Sequence, residues 1–447
     1  MKEINFKYSE INKDILRSLE KPGLGWGLLV GIAVTCVLIG GYCWGRQLRY
    51  GMGLAGLNHP VGWGVYITDF VFWVGIGHAG TLISAILFLF RARWRNAIFR
   101  SAEAMTIFAV MTAGLFPVIH VGRAWLAWWL FPYPNQRMLW VNFRSPLLWD
   151  VFAVSTYFSV SVLFFSLGLV PDVAAIRDRA KGLRKKMYTF LALGWTGTTE
   201  NWRHYMAGYG FLAALATPLV LSVHSVVSWD FAVSLVPGWH STIFAPYFVA
   251  GAVFSGIAMV ATILIPYRKI FKLEKYLTLW HFDMMSKLIV LTSSIVAYSY
   301  ATEYFIAWYG DDSFESFIFW ERTFGHYSIP FWAMIFCNCI APLPLWFPKV
   351  RRHLPTLFVI TIFINIGMWF ERFNIIVSSL AQDYDPFAWG WYIPSMTEMG
   401  ITLGSFGWFF MWFFLFIKFF PAMAITEMKE ICDPPMKGST HAHTEVA

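Results

Sequence analysis

The chain has 447 residues, of which 57% are hydrophobic, 19% aromatic and only 13% charged, with a net charge of +8 and a mean hydropathy of +0.55. Soluble domains carry about a quarter charged residues, so this composition excludes a water-soluble globular protein and points to the bilayer. The five cysteines (Cys36, Cys43, Cys337, Cys339, Cys432) make neither a CxxC pair nor a CxxCH haem-attachment site, and Cys337 and Cys339 sit inside an apolar run, where packing explains them.

Met1 to Glu20 is polar and mixed in charge, with no apolar core that would make it a signal peptide. Ten long apolar runs follow, at 26–44, 63–90, 102–130, 146–170, 204–227, 241–265, 278–308, 327–347, 354–376 and 395–420. Each can cross a hydrocarbon core of ~30 Å as a helix. Helices are required, because backbone groups in lipid must be satisfied within the segment and the runs are too long and uniformly apolar for barrel strands. Aromatic residues crowd their ends (Trp125, Trp128, Trp129, Trp308, Tyr309, Trp389, Trp391, Tyr392), as in an interfacial belt. The connecting stretches 45–62, 131–145 and 377–394 hold Trp, Pro, Gly and Asn, and read as docking surfaces for another protein. The stretch 171–203 is very basic, and the tail 432–447 reads as disordered.

The basic residues are segregated. Alternate connections and the two tails, all on one side, hold 26 of the 34 Lys and Arg; the other side holds Arg46, Arg49, Arg137, Arg144, Arg322 and Arg372. Arg123 and Lys287 fall inside spans. The positive-inside rule then places both termini in the cytoplasm. An echo between the third and seventh spans, His120 to Trp129 against Tyr300 to Tyr309, suggests a duplication. The expected fold is an all-α integral membrane protein: two four-helix bundles, spans 2–5 and 6–9, with spans 1 and 10 peripheral. The segments are 1–25 (cytoplasmic), 26–62 (peripheral helix and external loop), 63–230 (first bundle), 231–376 (second bundle), 377–420 (external loop and peripheral helix) and 421–447 (cytoplasmic tail).

Ionisable residues inside spans are costly, and each is a candidate for function. One group is Asp69, His78, His120, Arg123, Asp150 and His224; all but the deeper His78 lie in the outer half of the bilayer. His120 and Arg123, three apart, are expected to share a helix face. A histidine, a carboxylate and an arginine beneath the outer interface suit a quinol, whose oxidation releases two electrons and two protons. His120 accepts a hydroxyl proton near its reference pKa of ~6.5, Asp150 orients the imidazole and passes protons outward, and Arg123 steadies developing negative charge or holds Asp150 ionised. The small residues around His78 (Gly75, Gly77, Ala79, Gly80) leave room for a flat ring or an isoprenoid tail, or for close helix packing. A second group, His281, Asp283, Lys287, Glu303, Glu371 and Arg372, is joined along span seven by Thr292, Ser293, Ser294, Tyr298, Ser299, Tyr300 and Thr302. It is either a proton path or interhelical hydrogen bonding. A bis-histidine haem would need paired ligands at one depth; only His120 with His224 offers a pair, and both stand beside acid–base partners, so no haem or metal is expected in this chain.

Thr68-Asp69 through Trp73, Gly75, Gly77-His78-Ala79-Gly80-Thr81 and Ser84 resembles span two of the polysulfide-reductase membrane-subunit (NrfD-like) family, most of all ActC, the quinol-oxidising subunit of bacterial alternative complex III. Pro117 to Arg123 and Ser145-Pro146 to Asp150 resemble its next motifs. The resemblance implies a quinol, menaquinol or another, oxidised in the first bundle, with His120 and Asp150 in the positions of the family's site residues. It further implies a bacterial cytoplasmic (inner) membrane location. The implied partners are an extracytoplasmic Fe–S subunit, multihaem cytochrome c subunits and a homologous ten-helix (ActF-like) subunit; Fe–S clusters and c-haems belong to those partners. Two other readings stay open. One is the quinone-binding anchor of a molybdopterin oxidoreductase; the other is a proton-coupled transporter, supported mainly by the polar residues of span seven.

Overall fold

The structure is a computed structural model that describes residues 8–20, 23–132, 143 and 145–430. Arg137, Arg144, Cys432 and the tail 432–447 lie outside the described residues. Among those described, every regular element is a helix.

A short helix, α1 (Tyr8–Leu16), precedes the first span, α2 (Leu24–Tyr50). The next three spans are α3 (Val65–Leu89), α4 (Phe99–His120) and α5 (Pro146–Arg177). A connecting helix, α6 (Gly182–Leu191), leads to α7 (Thr199–Ala232), α8 (Phe244–Ile270) and α9 (Leu279–Gly310). A non-spanning helix, α10 (Ser313–Phe324), separates α9 from α11 (Ser328–Trp346); α12 (Leu354–Ala381), α13 (Met396–Phe419) and the short α14 (Ile425–Glu430) complete the chain. Ten of these helices are long and apolar enough to cross a membrane.

The spans agree with the apolar runs except at one place that matters. The third span, expected to reach residue 130, ends at His120; Gly122 takes φ +78° and turns the chain, and Ala124–Leu130 forms a separate 3-10 helix. A glycine is needed there because positive φ strains residues with a Cβ. Two spans carry a π-turn, Leu82–Ile86 in α3 and Phe336–Ile340 in α11, a distortion that tends to accompany function.

Packing produces two closed four-helix groups. In the first, α3 packs on α4 and α7, and α5 closes the ring between α4 and α7; in the second, α8 packs on α9 and α12, and α11 closes it. The groups meet where α8 and α12 lie against α3. That joint is tight: a Cβ on Gly256 would lie 2.2 Å from the Ala79 Cβ. The outer pair α2 and α13 lies beside α3 and α4. Bilayer lipid offers no hydrophobic drive for helix pairing, so close approach through small residues is what holds such a pair. Here a Cβ on Gly404 would lie 2.7 Å from the Gly40 Cα.

Residues 421–430, the start of the expected cytoplasmic tail, pack against the basic end of the first bundle. Asp172 Oδ1 accepts hydrogen bonds from the backbone N–H groups of Ile425 (3.1 Å) and Thr426 (3.2 Å) and so caps α14. The same Asp172 and Glu103 flank Arg100, which is fully buried, at 3.3 and 2.9 Å. Tyr209 donates to Glu103 at 3.0 Å and Tyr205 to Glu427 at 3.2 Å. This ion cluster ties α4, α5, α7 and α14 together at one level.

Candidate functional site

The end of the first bundle poorest in basic residues is formed where α3 and α5 begin and α4 and α7 finish. His120 stands at the last position of α4, half-buried, with its Nδ1 buried and unpartnered. Beneath it the Tyr66 ring lies edge-on at 6.5 Å. Tyr66 donates its hydroxyl to Gln47, and Gln47 donates to the Ile119 carbonyl at 3.1 Å. Gln47 is fully buried and comes from the peripheral helix α2, so an outer helix braces the end of a bundle helix.

Asp150, one turn into α5, is 7% exposed. Its partner is neither His120 nor Arg123 but Asp230, near the end of α7. The two carboxyls face each other closely enough for each to act on the other, and each keeps one buried oxygen with no partner. Two ionised carboxylates facing each other repel, and a single proton held between them relieves that repulsion. No hydrogen bond or ion pair joins His120 to Asp150 among the described residues. The trio nonetheless occupies one end of one bundle, on neighbouring helices.

Arg123 departs from expectation. It lies beyond the helix, after the Gly122 turn, and is exposed, with no ion pair to a described residue. The shared helix face with His120 therefore does not exist, and Arg123 is not a buried counter-ion for Asp150. Asp69 also points elsewhere. It is fully buried, but accepts hydrogen bonds from Trp369 Nε1 at 2.7 Å and Thr402 Oγ1 at 2.6 Å, on α12 and α13.

His78 and His224 form a second, deeper layer. Their ring centroids are 4.4 Å apart, and Tyr157 stacks on His78 at 4.9 Å. The Tyr157 hydroxyl is held by Thr81 at 2.7 Å and donates to the Gly77 carbonyl at 2.9 Å. Tyr157 is seven residues along α5 from Asp150, and His224 six along α7 from Asp230. At 1.5 Å per residue, the second layer lies about 10 Å below the first. Rings packed this closely leave no room for an iron and its macrocycle between them, so this histidine pair does not suit axial haem ligation. His224 with His120, the pairing suggested by sequence, is not formed.

In the second bundle the polar residues of span seven divide. Thr292, Ser294, Ser299 and Thr302 bond back to carbonyls of their own helix, and Tyr298 is 67% exposed. Ser293 and Tyr300 reach across: Ser293 to the Asn338 carbonyl at 2.9 Å, Tyr300 to the Glu371 carboxylate, with Asn338 donating to the Tyr300 hydroxyl at 2.8 Å. Glu371 also pairs with Arg372 at 3.1 Å. Asp283 sits near the basic end between Arg351 (2.8 Å) and Lys287 (3.2 Å). His281 is committed to the capping box of α9, where its Nδ1 accepts from the Thr278 backbone N–H. Glu303 keeps a buried, unpartnered oxygen. The continuous polar line drawn along α9 is thus two separate groups, one about Asp283 and one about Glu371.

Comparison with known proteins identifies the lineage of this arrangement. Residues 53–382, which contain α3 to α12, match the model of the family described as polysulphide reductase, NrfD. The chain belongs to the NrfD family. Among relatives of this NrfD-family chain is a candidate membrane subunit of dimethyl sulfoxide reductase from Halobacterium salinarum, 25% identical over 88% of this chain and 90% of its own length. A selenate reductase subunit of Mesobacillus selenatarsenatis is 22% identical over 48% of this chain and 50% of its own. The Hdr-like menaquinol oxidoreductase integral membrane subunit of Archaeoglobus fulgidus is 21% identical over 54% and 51%. All three are named as subunits of oxidoreductases, the first and the third as membrane subunits.

Sequence reasoning missed Asp230, Tyr157, Gln47 and the Arg100 cluster. Asp230 and Gln47 lie at the ends of spans, where polar residues are unremarkable, and Tyr157 is one aromatic among many; only their contacts single them out.

Proposed function

We propose that this chain is the quinone-interacting membrane subunit of an oxidoreductase complex, and that it oxidises a quinol at the His120–Asp150–Asp230 end of its first bundle. The observation that carries the reading is the grouping itself: an unpartnered imidazole nitrogen and a carboxyl pair with spare oxygens, buried or half-buried at one end of one bundle. Quinol oxidation to quinone releases two protons and two electrons. His120 accepts one hydroxyl proton and the Asp150–Asp230 pair the other, handing on the proton it already shares. The two electrons pass to a partner docked at the same end, where exposed Trp125, Trp128 and Trp129 provide surface. The menaquinol named for the Archaeoglobus relative supports menaquinol as the substrate.

The finer assignment is the quinol-oxidising subunit of alternative complex III, with Fe–S and multihaem cytochrome partners. The second reading, a membrane anchor of a molybdopterin reductase, is favoured by the dimethyl sulfoxide and selenate reductase names of two relatives. The absorption spectrum and metal content of the purified native complex separate them: c-type haem bands support the first, molybdenum the second. The site is tested in the same preparation. His120→Ala or Asp150→Asn is expected to abolish quinone-linked electron transfer while the complex still assembles, because one member of a cooperating acid–base unit removes nearly the whole effect. Wild-type turnover in either variant rejects the site.

A further inference from the structure

At the basic end of the second bundle, three stretches of chain leave an open cavity of about 480 Å³. That lies within the range of small-molecule sites, about 300–1,000 Å³. Its lining comes from Arg268 in the last turn of α8 and Glu274 in the connection that follows. Thr278, Leu279 and Trp280 at the start of α9 add to it, as does Arg352, two residues before α12.

The cavity is positively charged. Arg268 Nε donates to the Leu277 carbonyl at 2.6 Å, which anchors the guanidinium there. Its terminal nitrogens make no hydrogen bond or ion pair with a described residue. Arg352 has a side chain 60% exposed and stands 3.8 Å from Asp283. That carboxylate is already taken by Arg351 at 2.8 Å and Lys287 at 3.2 Å, so Arg352 is left largely unneutralised. Two arginines against the single Glu274 give the lining one net positive charge. The start of α9 adds to it, because the first N–H groups of a helix meet no carbonyl within it and its dipole is positive there.

Apolar surface adjoins this charge. Trp280 and Leu279 are exposed in the first turn of α9, and a tryptophan at the end of a span sits at headgroup level. Leu291 and Ile295, also exposed, follow Trp280 at close to whole helical turns and continue its face into the span. We propose that this cavity binds the phosphodiester headgroup of an anionic membrane phospholipid, with Arg268 and Arg352 on the phosphate and an acyl chain along Leu291 and Ile295. A phosphodiester brings one negative charge, which cancels the excess of the lining. Arginine suits it, because the planar fork meets two phosphate oxygens at once. Glu274 then accepts from the hydroxyl groups of a glycerol headgroup. A zwitterionic headgroup carries its own cation and leaves the excess positive charge in place. The bound lipid joins the ends of α8, α9 and α12, and the site is independent of the quinol reading.

The test uses the native complex in phosphatidylcholine vesicles containing a trace of phosphatidylglycerol or phosphatidylethanolamine with a photoactivatable group beside the headgroup. Cross-linked peptides are located by mass spectrometry. The phosphatidylglycerol probe is expected to label the peptides holding Arg268 to Trp280 and Arg352 more strongly than the phosphatidylethanolamine probe does. In Arg352→Gln that labelling should fall about fivefold, the equivalent of about 1 kcal/mol per basic group at an anionic surface. Asp283 keeps Arg351 and Lys287 in this variant, so the surrounding ion pairs stay in place. Excess inorganic phosphate should leave the labelling unchanged. Four results overturn the proposal: no label at the cavity, equal labelling by the two probes, labelling undiminished in Arg352→Gln, or displacement by inorganic phosphate, which makes the occupant a water-borne anion. If the variant does not assemble, the two probes compared on the wild type decide alone.

Discussion

The same residue type carries opposite roles within a few turns of this chain, and surroundings decide which. Asp150 and Asp69 are both carboxyls one turn into a span, yet Asp150 faces another carboxyl and keeps a free oxygen, whereas both oxygens of Asp69 are taken by Trp369 and Thr402. Spare hydrogen-bonding capacity marks a group that can meet a substrate, and a saturated one marks a tie. Arg123 supplies the sharpest test at this scale. An exposed arginine without an ion pair contributes little, and surface substitutions usually stay within about 0.5 kcal/mol. Arg123→Leu is therefore expected to leave assembly intact and the quinol-oxidation rate within about twofold of wild type, since 0.5 kcal/mol corresponds to a factor near two. A tenfold loss in kcat/KM would restore it to the site.

Among the elements, the pair α2 and α13 is held by backbone proximity, with a hydrogen bond from Trp26 Nε1 to the Phe414 carbonyl at 3.0 Å. Gly40 and Gly404 approach until a Cβ on either would overlap the other's backbone at 2.6–2.7 Å, and a Cβ on Gly400 would meet Cys43 Sγ at 2.5 Å. Backbone cannot move aside as a flexible side chain can, so Gly404→Ala should force the helices apart. Cys43, half-buried in this interface, provides the readout: a membrane-permeant maleimide should label it faster in the variant than in wild type, and an equal rate would mean the pair absorbs the methyl group. The consequence reaches the candidate site, because α2 carries Gln47, which braces the end of α4 through Tyr66 and Ile119.

For the whole molecule, Asp69 is the point where three packing units meet. From α3 of the first bundle it accepts from α12 of the second and from α13 of the peripheral pair. Asp69→Leu would leave the Trp369 and Thr402 donors buried without an acceptor, and each such loss costs about 1–3 kcal/mol. The expected outcome is a lower apparent unfolding temperature of the purified complex, with the His120–Asp150–Asp230 end still competent to oxidise quinol before heating. Unchanged thermal stability would show that the three units are held by apolar packing alone. Arg372, stacked on Phe248 of α8 and paired with Glu371, lies one turn from Trp369 on the same helix.

The sequence by itself determined the membrane-spanning architecture. Apolar length, aromatic ends and alternating basic loops are local or additive properties, and a helix in lipid has no other way to satisfy its backbone. It also pointed to His120 and Asp150, because an ionisable residue in an apolar run is conspicuous without any knowledge of its neighbours. The tertiary structure decided which ionisable groups face one another. Helical spacing put Arg123 beside His120, but one glycine at φ +78° ended the helix between them. His224 looked like a partner for His120 and instead packs on His78, because helix α7 presents it about two turns deeper. Asp230 gained its meaning only from Asp150 across the bundle, and the polar side chains of span seven were sorted by which could reach another helix and which bonded their own. Depth along a helix is written in the sequence; the facing partner across a helix interface depends on rotation and packing, which only the folded chain fixes.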